Sequence, residues 1–290
     1  MQSHWSKPAR WKYQNQNLRD QLLMYGLSAF SLRKAFDCPV FMVTDSRFAS
    51  ILSDLPKVYD GISTELDDLK VDREFWAFPK FHIDMRYGPE FAAQNTRIVQ
   101  CDTDVFFWEP MQIGDAPDIL VQSIEGESHF RVSYRQPVAF TDAVLKSANV
   151  EIPYWNPMLE HALNCGVVAF KDGNYAAEYA QNATKMCEVL SAAHDAFLEM
   201  IPQSQRQGSI MVVPEQYYLL CCAVAKENVV SYVSTRLTGK GKFKNYDPDD
   251  YYHMMGDKDK PAARENIAVL AEERIPEFYH AVTESAYGGF

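Results

Sequence analysis

The chain has 290 residues, 47% of them apolar and 23% charged, and a net charge of −11. This is an ordinary composition for a soluble globular protein, and the length suits one large α/β domain burying roughly 75% of the surface its unfolded form exposes. Disorder and repeat arrays are excluded, and the acidic balance excludes bulk electrostatic affinity for nucleic acid or anionic lipid.

In chain order, Gln2-Ser3-His4-Trp5 leaves little room for a full first strand. Apolar residues at helical spacing (Leu18, Leu22, Leu23, Leu27, Phe30, Phe36) predict a helix over Leu18 to Phe36. Val40 to Thr44 reads as a short buried strand closing on Asp45, and Arg47 to Leu55 as a short helix. The aromatic-rich stretch Arg73 to Arg86 is expected to be partly helical. Arg97 to Cys101 is a strand with Asp102-Thr103-Asp104 at its exit, and Asp118 to Gln122 is another. Glu125 to Pro157 is expected to be an inserted, substrate-facing segment, with Trp155 as the aromatic favoured for an acceptor rim. Asn164 to Phe170 reads as a turn and then a strand, Asn174 to Leu198 as one long helix, and Pro214 to Lys226 as a shorter helix opened by proline. Val229 to Val233 is a late strand, Tyr246 to Lys260 is polar, and Ala262 to His280 returns to helical spacing. Alternating strands and helices argue for a mixed, mostly parallel sheet flanked by helices.

The six cysteines form no C-x-x-C pair, which excludes a zinc site on spacing. Reduced, buried thiols are expected. No basic-then-apolar leader and no apolar run of membrane-spanning length stands out, so the expected setting is cytoplasmic.

Asp102 and Asp104 carry the chemistry. In an extended segment residues two apart share a side, and ligands of open α/β sheets bind at the carboxyl ends of strands. Two carboxylates there cannot both be buried without a cation, and hard oxygen ligands suit Mn²⁺ or Mg²⁺, which can bridge a diphosphate. The competing structural readings are a solvated turn or helix N-caps. The apolar strand before the motif and Phe106-Phe107-Trp108 after it weigh against the turn. Haloacid-dehalogenase-type phosphatases share a strand-end D-x-D, but Phe106 stands where they place threonine or valine. Downstream, His253 with Gly256, Lys258 and Lys260 offers a metal ligand and phosphate partners.

The order of these features (apolar strand, D-x-D, N-x-G before a strand, an acid-Gln pair opening a helix, a late H-x-x-G followed by Lys-Pro) resembles the retaining GT-A glycosyltransferases related to glycogenin and the bacterial lipooligosaccharide galactosyltransferases. The resemblance covers Val40 to Pro261 and lies in motif order. It implies a single GT-A-like catalytic domain over 1–290, with a nucleotide-binding half over about 1–115, an acceptor-side half over about 116–261 and a C-terminal helix over about 262–283. It implies a metal, Mn²⁺ or Mg²⁺, held by Asp102, Asp104 and His253. It implies a nucleotide-sugar donor, UDP-linked, contacted by Asp45, Lys80, Asp102, Thr103, Asp104, Asn164, Gly166, Gly256 and Lys258 or Lys260. Gln216, after Glu215, matches the glutamine below the anomeric carbon, and the acceptor is a glycan or other hydroxyl. The sequence departs from the pattern in three places. Asp259 stands where the family has its lysine, Glu215 where it commonly has aspartate, and only Gln2, Ser3 and His4 remain as a first strand. The rivals are a GT-A-like nucleotidyltransferase, whose glycine-rich basic N-terminal loop is missing here, and a degenerate domain that binds a glycan or partner.

Overall fold

The structure, a computed structural model, describes residues 2–3, 18–69, 75–111, 113–200, 210–233, 251–254 and 260–285. Through residue 101 the elements are β1 (Gln2–Ser3), α1 (Leu18–Phe36), β2 (Phe41–Val43), α2 (Ser46–Ser53), β3 (Gly61–Ser63), α3 (Phe78–Ala93) and β4 (Ile98–Cys101). Next come β5 (Val105–Phe107), β6 (Ile119–Glu125), α4 (Glu127–Ser133), α5 (Arg135–Ser147), β7 (Ala162–Phe170), α6 (Gly173–Ala192) and α7 (His194–Met200). A π-helical turn over Val213–Tyr217 leads into α8 (Tyr218–Ala225), followed by β8 (Val230–Tyr232), β9 (Tyr251–His253), α9 (Pro261–Arg274) and α10 (Pro276–Glu284). The chain forms two compact units. The first is Met1–Leu69 with Cys101–Ile113 and Thr238–Phe290, and the second is Lys70–Gln100 with Gly114–Leu237.

In the first unit β3, β2 and β1 pair in parallel, and Gln2 of β1 also pairs with Cys101 at the end of β4. Of the residues that predicted α1, Leu22, Leu23 and Leu27 are fully enclosed and Leu18, Phe30 and Phe36 half-buried; every residue from Leu22 to Ala29 is buried, and α9 and α10 pack against the helix. The aromatic run after the D-x-D is β5, which pairs antiparallel with β9.

In the second unit the strand order is β4-β7-β6-β8. β6 runs antiparallel to β7 and parallel to β8. All nine residues of β7 are buried, as expected of a strand covered on both faces. The turn expected at Asn164 is instead a bulge inside this strand. Val121 pairs with Val168 and Ser123 with Asn164, so Gln122 alone faces Cys165, Gly166 and Val167. Such bulges re-aim side chains beside functional sites. The segment Glu125 to Pro157 holds α4 and α5. The long helix expected over Asn174 to Leu198 breaks after Ala192 into α6 and α7.

Parallel pairings predominate and helices flank the strands, so the expected α/β class is borne out. Among the described residues no helix is long and apolar enough to cross a membrane, and all six cysteines are free thiols.

α3 and α6 meet through Gly88 and Gly173. A methyl group built on either would overlap the other's carbonyl oxygen, so the two backbones touch where any side chain would separate them. Overpacking typically costs about 1–3 kcal/mol. Gly173→Ala is therefore expected to lower the thermal unfolding midpoint by several degrees, whereas Gly114→Ala, with open space around it, is expected to leave it nearly unchanged.

Candidate metal centre

The apolar strand β4 ends at Cys101, and a turn closed by Val105 N–H donating to Asp102 O at 3.2 Å carries Asp102, Thr103 and Asp104 into β5. Asp104 is only 2% exposed. The antiparallel ladder aligns Val105 with His253, and Met254 N–H donates to Asp104 O at 3.0 Å. A histidine some 150 residues away in sequence is thereby delivered to the D-x-D by backbone pairing. His253 Nε2 lies 3.4 Å from Asp104 Oδ2 and 3.9 Å from Asp102 Oδ2, and one ligand atom from each of the three residues lies within 4.8 Å of the others.

Helix α1 backs this turn. Ser28 Oγ donates to Val105 O at 2.7 Å, and the Tyr25 hydroxyl shares a hydrogen bond with the Thr103 side chain. The Tyr59 hydroxyl donates to Tyr25 O at 3.1 Å. Burial, reinforced by the charge of Asp104, pushes the Tyr25 phenol far above its ordinary range. Burial pushes Tyr251 up as well, with Cys101, Asp102 and Asp104 adding to it. Both phenols thus stay neutral beside the carboxylates.

The donor set fits a hard divalent cation. It offers two carboxylates and one imidazole, with no thiolate among the converging groups, a combination suited to Mn²⁺ or Mg²⁺. With the Asp104 carboxylate sealed from water, a second carboxylate at such range is costly unless a positive charge joins them. The three residues would hold such an ion through one ligand atom each.

The other predicted site residues are placed as follows. In the first unit, Asp45 is buried and caps α2, its carboxylate accepting from Phe48 N–H at 2.9 Å. Lys260 is exposed at the start of α9. Gly256 and Lys258 lie outside the described residues. In the second unit, Lys80 and Glu215 form a buried ion pair, Nζ to Oε1 2.6 Å, and Lys80 also donates to Cys165 O at 3.1 Å. The π-helical turn presents Glu215, and Tyr179 holds its backbone by donating to Glu215 O at 2.6 Å. Below the pair, Gln100 Nε2 donates to Lys80 O and to Asp84 Oδ1, both at 2.8 Å. Burial drives the Asp84 carboxyl well above the ordinary carboxylate range, and nearby Lys80 only tempers this. Asn164 Nδ2 donates to Glu125 Oε1 at 2.7 Å while its Oδ1 accepts from Gly166 N–H at 3.0 Å. Gln216 Oε1 accepts from the Tyr134 hydroxyl.

Of these partners, Glu125 is not singled out by the sequence reading. Glu125 ends an apolar strand just as Asp102 follows one, so the same strand-exit rule had the signal to find it. Tyr134 is one of several aromatics, with Trp76, Trp108, Tyr154 and Trp155, that could stack on a sugar face but whose default place is the core; nothing in the sequence marks it as the partner of Gln216.

Residues 1–285 match the family described as DUF6734, a family of unknown function, and the chain belongs to that family. No curated protein matches it. Among solved structures it is similar to mouse xyloside xylosyltransferase 1 in its apo form, with 9% identity over 80% of this chain and 83% of that one and a TM-score of 0.38. It is also similar to WbbM, a bifunctional glycosyltransferase in its apo form, with 11% identity and a TM-score of 0.34; the match covers 94% of this chain and 50% of that one.

Two outcomes are expected. Titration of metal-free protein with Mn²⁺, followed by electron paramagnetic resonance, should show one site. Asp104→Ala and His253→Ala should each weaken it by more than the roughly 10–100-fold that outer-sphere partners supply. The second concerns Asp84. With its folded pKa raised, the folded state holds a proton that the unfolded chain releases. Its cost therefore appears as pH rises above the ordinary carboxylate pKa of about 3.9 and grows until the folded-state pKa is passed. Asp84→Asn should flatten that decline in urea-unfolding stability with pH.

Proposed function

We propose that this member of the DUF6734 family is a metal-dependent glycosyltransferase that moves a sugar from a nucleotide-sugar, a UDP-sugar, to a glycan or other hydroxyl acceptor, with retention at the anomeric carbon. The observation that carries the proposal is the convergence of Asp102, Asp104 and His253 at the exit of a buried strand. The order of motifs along the sequence supports it.

Asp102, Asp104 and His253 would hold Mn²⁺ or Mg²⁺, which when bound supplies positive charge against the departing diphosphate. Thr103, fixed by Tyr25, keeps the turn between the two carboxylates in shape. Lys260 or Lys258 shares the negative charge of the phosphates. The resemblance gives Asp45 to the base or sugar, and Lys80, Asn164, Gly166, Glu215 and Gln216 to the donor sugar. With retention, the bond from the anomeric carbon to the diphosphate breaks and a bond to the acceptor oxygen forms on the same face. The acceptor proton passes to the leaving phosphate oxygen, so no strong protein base is required. Net charge and function are compatible, because a −11 protein can bind a diphosphate where a cation and lysines offset it locally.

Thermal shift with UDP, GDP and ADP, each with and without Mn²⁺, tests the reading. UDP is expected to raise the unfolding midpoint only with the metal, by the mass-action stabilisation of a bound ligand, and Asp104→Ala to abolish the rise. Absence of any nucleotide shift under every metal condition would sink the proposal.

A further inference from the structure

Gln216 lies in the π-helical turn of the second unit, half-buried, directly after the sealed Glu215. Its amide has two chemically opposite ends, a carbonyl that accepts and an NH₂ that donates. The Tyr134 hydroxyl donates to the carbonyl oxygen, Oε1. Among the described residues this is the only acceptor that the hydroxyl meets. Nε2 of Gln216 bonds to none of the described residues and is not among their sealed, partnerless polar atoms.

Tyr134 is held firmly. It is 2% exposed at the junction of α4 and α5, its ring stacks on Phe130 with centroids 5.9 Å apart and planes 4° from parallel, and His129 meets it edge-on. Its phenol stays protonated. Burial first, with Glu125, Cys165 and Glu215 nearby adding to it, pushes it well above the ordinary tyrosine range. Buried polar groups are paired in the large majority of cases, and among the described residues Gln216 Oε1 is the acceptor that this proton meets. If the amide were flipped, its NH₂ could donate to the hydroxyl oxygen, but the phenol proton would lose the acceptor it has in Oε1.

We infer that Tyr134 is a positioning residue that fixes the Gln216 amide with its carbonyl turned inward, so that Gln216 meets a bound ligand only through its NH₂. That the ligand is the donor sugar rests on the function proposed above. In that setting Gln216 donates a hydrogen bond to an oxygen of the sugar or of the incoming acceptor, and its carbonyl does not face the anomeric carbon. The amide forms no covalent bond; it orients oxygen atoms.

The test has two arms, both on the full chain. The first needs no ligand. Thermal unfolding is measured for Tyr134→Phe, Gln216→Met and the double variant. Each single substitution is expected to lower the midpoint, and the double variant to lie no lower than the weaker single, as coupled neighbours do. Strictly additive losses overturn the Tyr134–Gln216 contact.

The second arm follows UDP release from UDP-glucose and UDP-galactose with Mn²⁺. Gln216→Glu keeps an acceptor for Tyr134 but presents no N–H, and is expected to lose more than tenfold in kcat with Mn²⁺ affinity unchanged. Full activity in this variant overturns the inference, because a carboxylate facing the sugar would then serve as well. Tyr134→Phe is expected to lower kcat more than it changes KM in the native background, and to have no effect in the Gln216→Met background. If the native protein releases UDP from neither donor, the proposed function fails for these sugars, and the unfolding cycle by itself decides the contact.

Discussion

A carboxylate taken out of water needs a compensating charge or a full set of hydrogen bonds, and Asp104 is almost entirely out of water. Much of the first unit can be read as the arrangement that meets this need. The chain turns at Asp102 to Asp104, re-enters as β5, and β5 recruits β9. That ladder sets His253 against the two aspartates with a precision that loop contacts would not give, because register is fixed by backbone hydrogen bonds. Helix α1 then stiffens the turn from behind through Ser28 and Tyr25, and α9 and α10 pack on the same helix. Two aspartates on a turn braced from behind, and a histidine on a paired strand, give the support that a pre-organised cation site requires.

The second unit meets a similar electrostatic problem in a different way. Lys80 and Glu215 neutralise each other in a place where neither charge is affordable alone. Their surroundings are polar in a graded manner: Gln100 ties Lys80 to Asp84 through one amide, and Tyr179 clamps the π-helical turn that presents Glu215. π-helical turns are rare and occur frequently at functional sites. Here the turn sets Glu215 inward and leaves Gln216 half-buried beside it. The bulge in β7 does comparable work for Asn164, which bonds to Glu125 across the ladder and to Gly166 along its own strand.

Helix α1 was legible to its termini because its apolar residues recur at the helical period and its buried face is continuous. β2, β4, β6 and β8 were legible as short apolar runs. β5 was not read as a strand, since three aromatic residues after a turn have no partner until β9 is known. The Asn164 segment looked like a turn because Asn-x-Gly has turn chemistry, and the bulge uses that same chemistry inside a ladder. The break between α6 and α7 leaves no proline or glycine signature, and only the C-cap at Ala193 marks it.

The sequence by itself determined the α/β class, the strand exit that carries Asp102 and Asp104, and the residue types that favour a hard divalent cation. These follow from local periodicity and from the chemistry of a few side chains, both written along the chain. Tertiary structure decided which distant groups meet: His253 with the aspartates, Lys80 with Glu215, Asn164 with Glu125, and Tyr134 with Gln216. No local rule contains such pairings, because each depends on strand register and helix packing over separations of 39 to 151 residues. The aspartate motif is therefore readable as a possibility from one short segment, and becomes a three-ligand centre only when β9 lies beside β5.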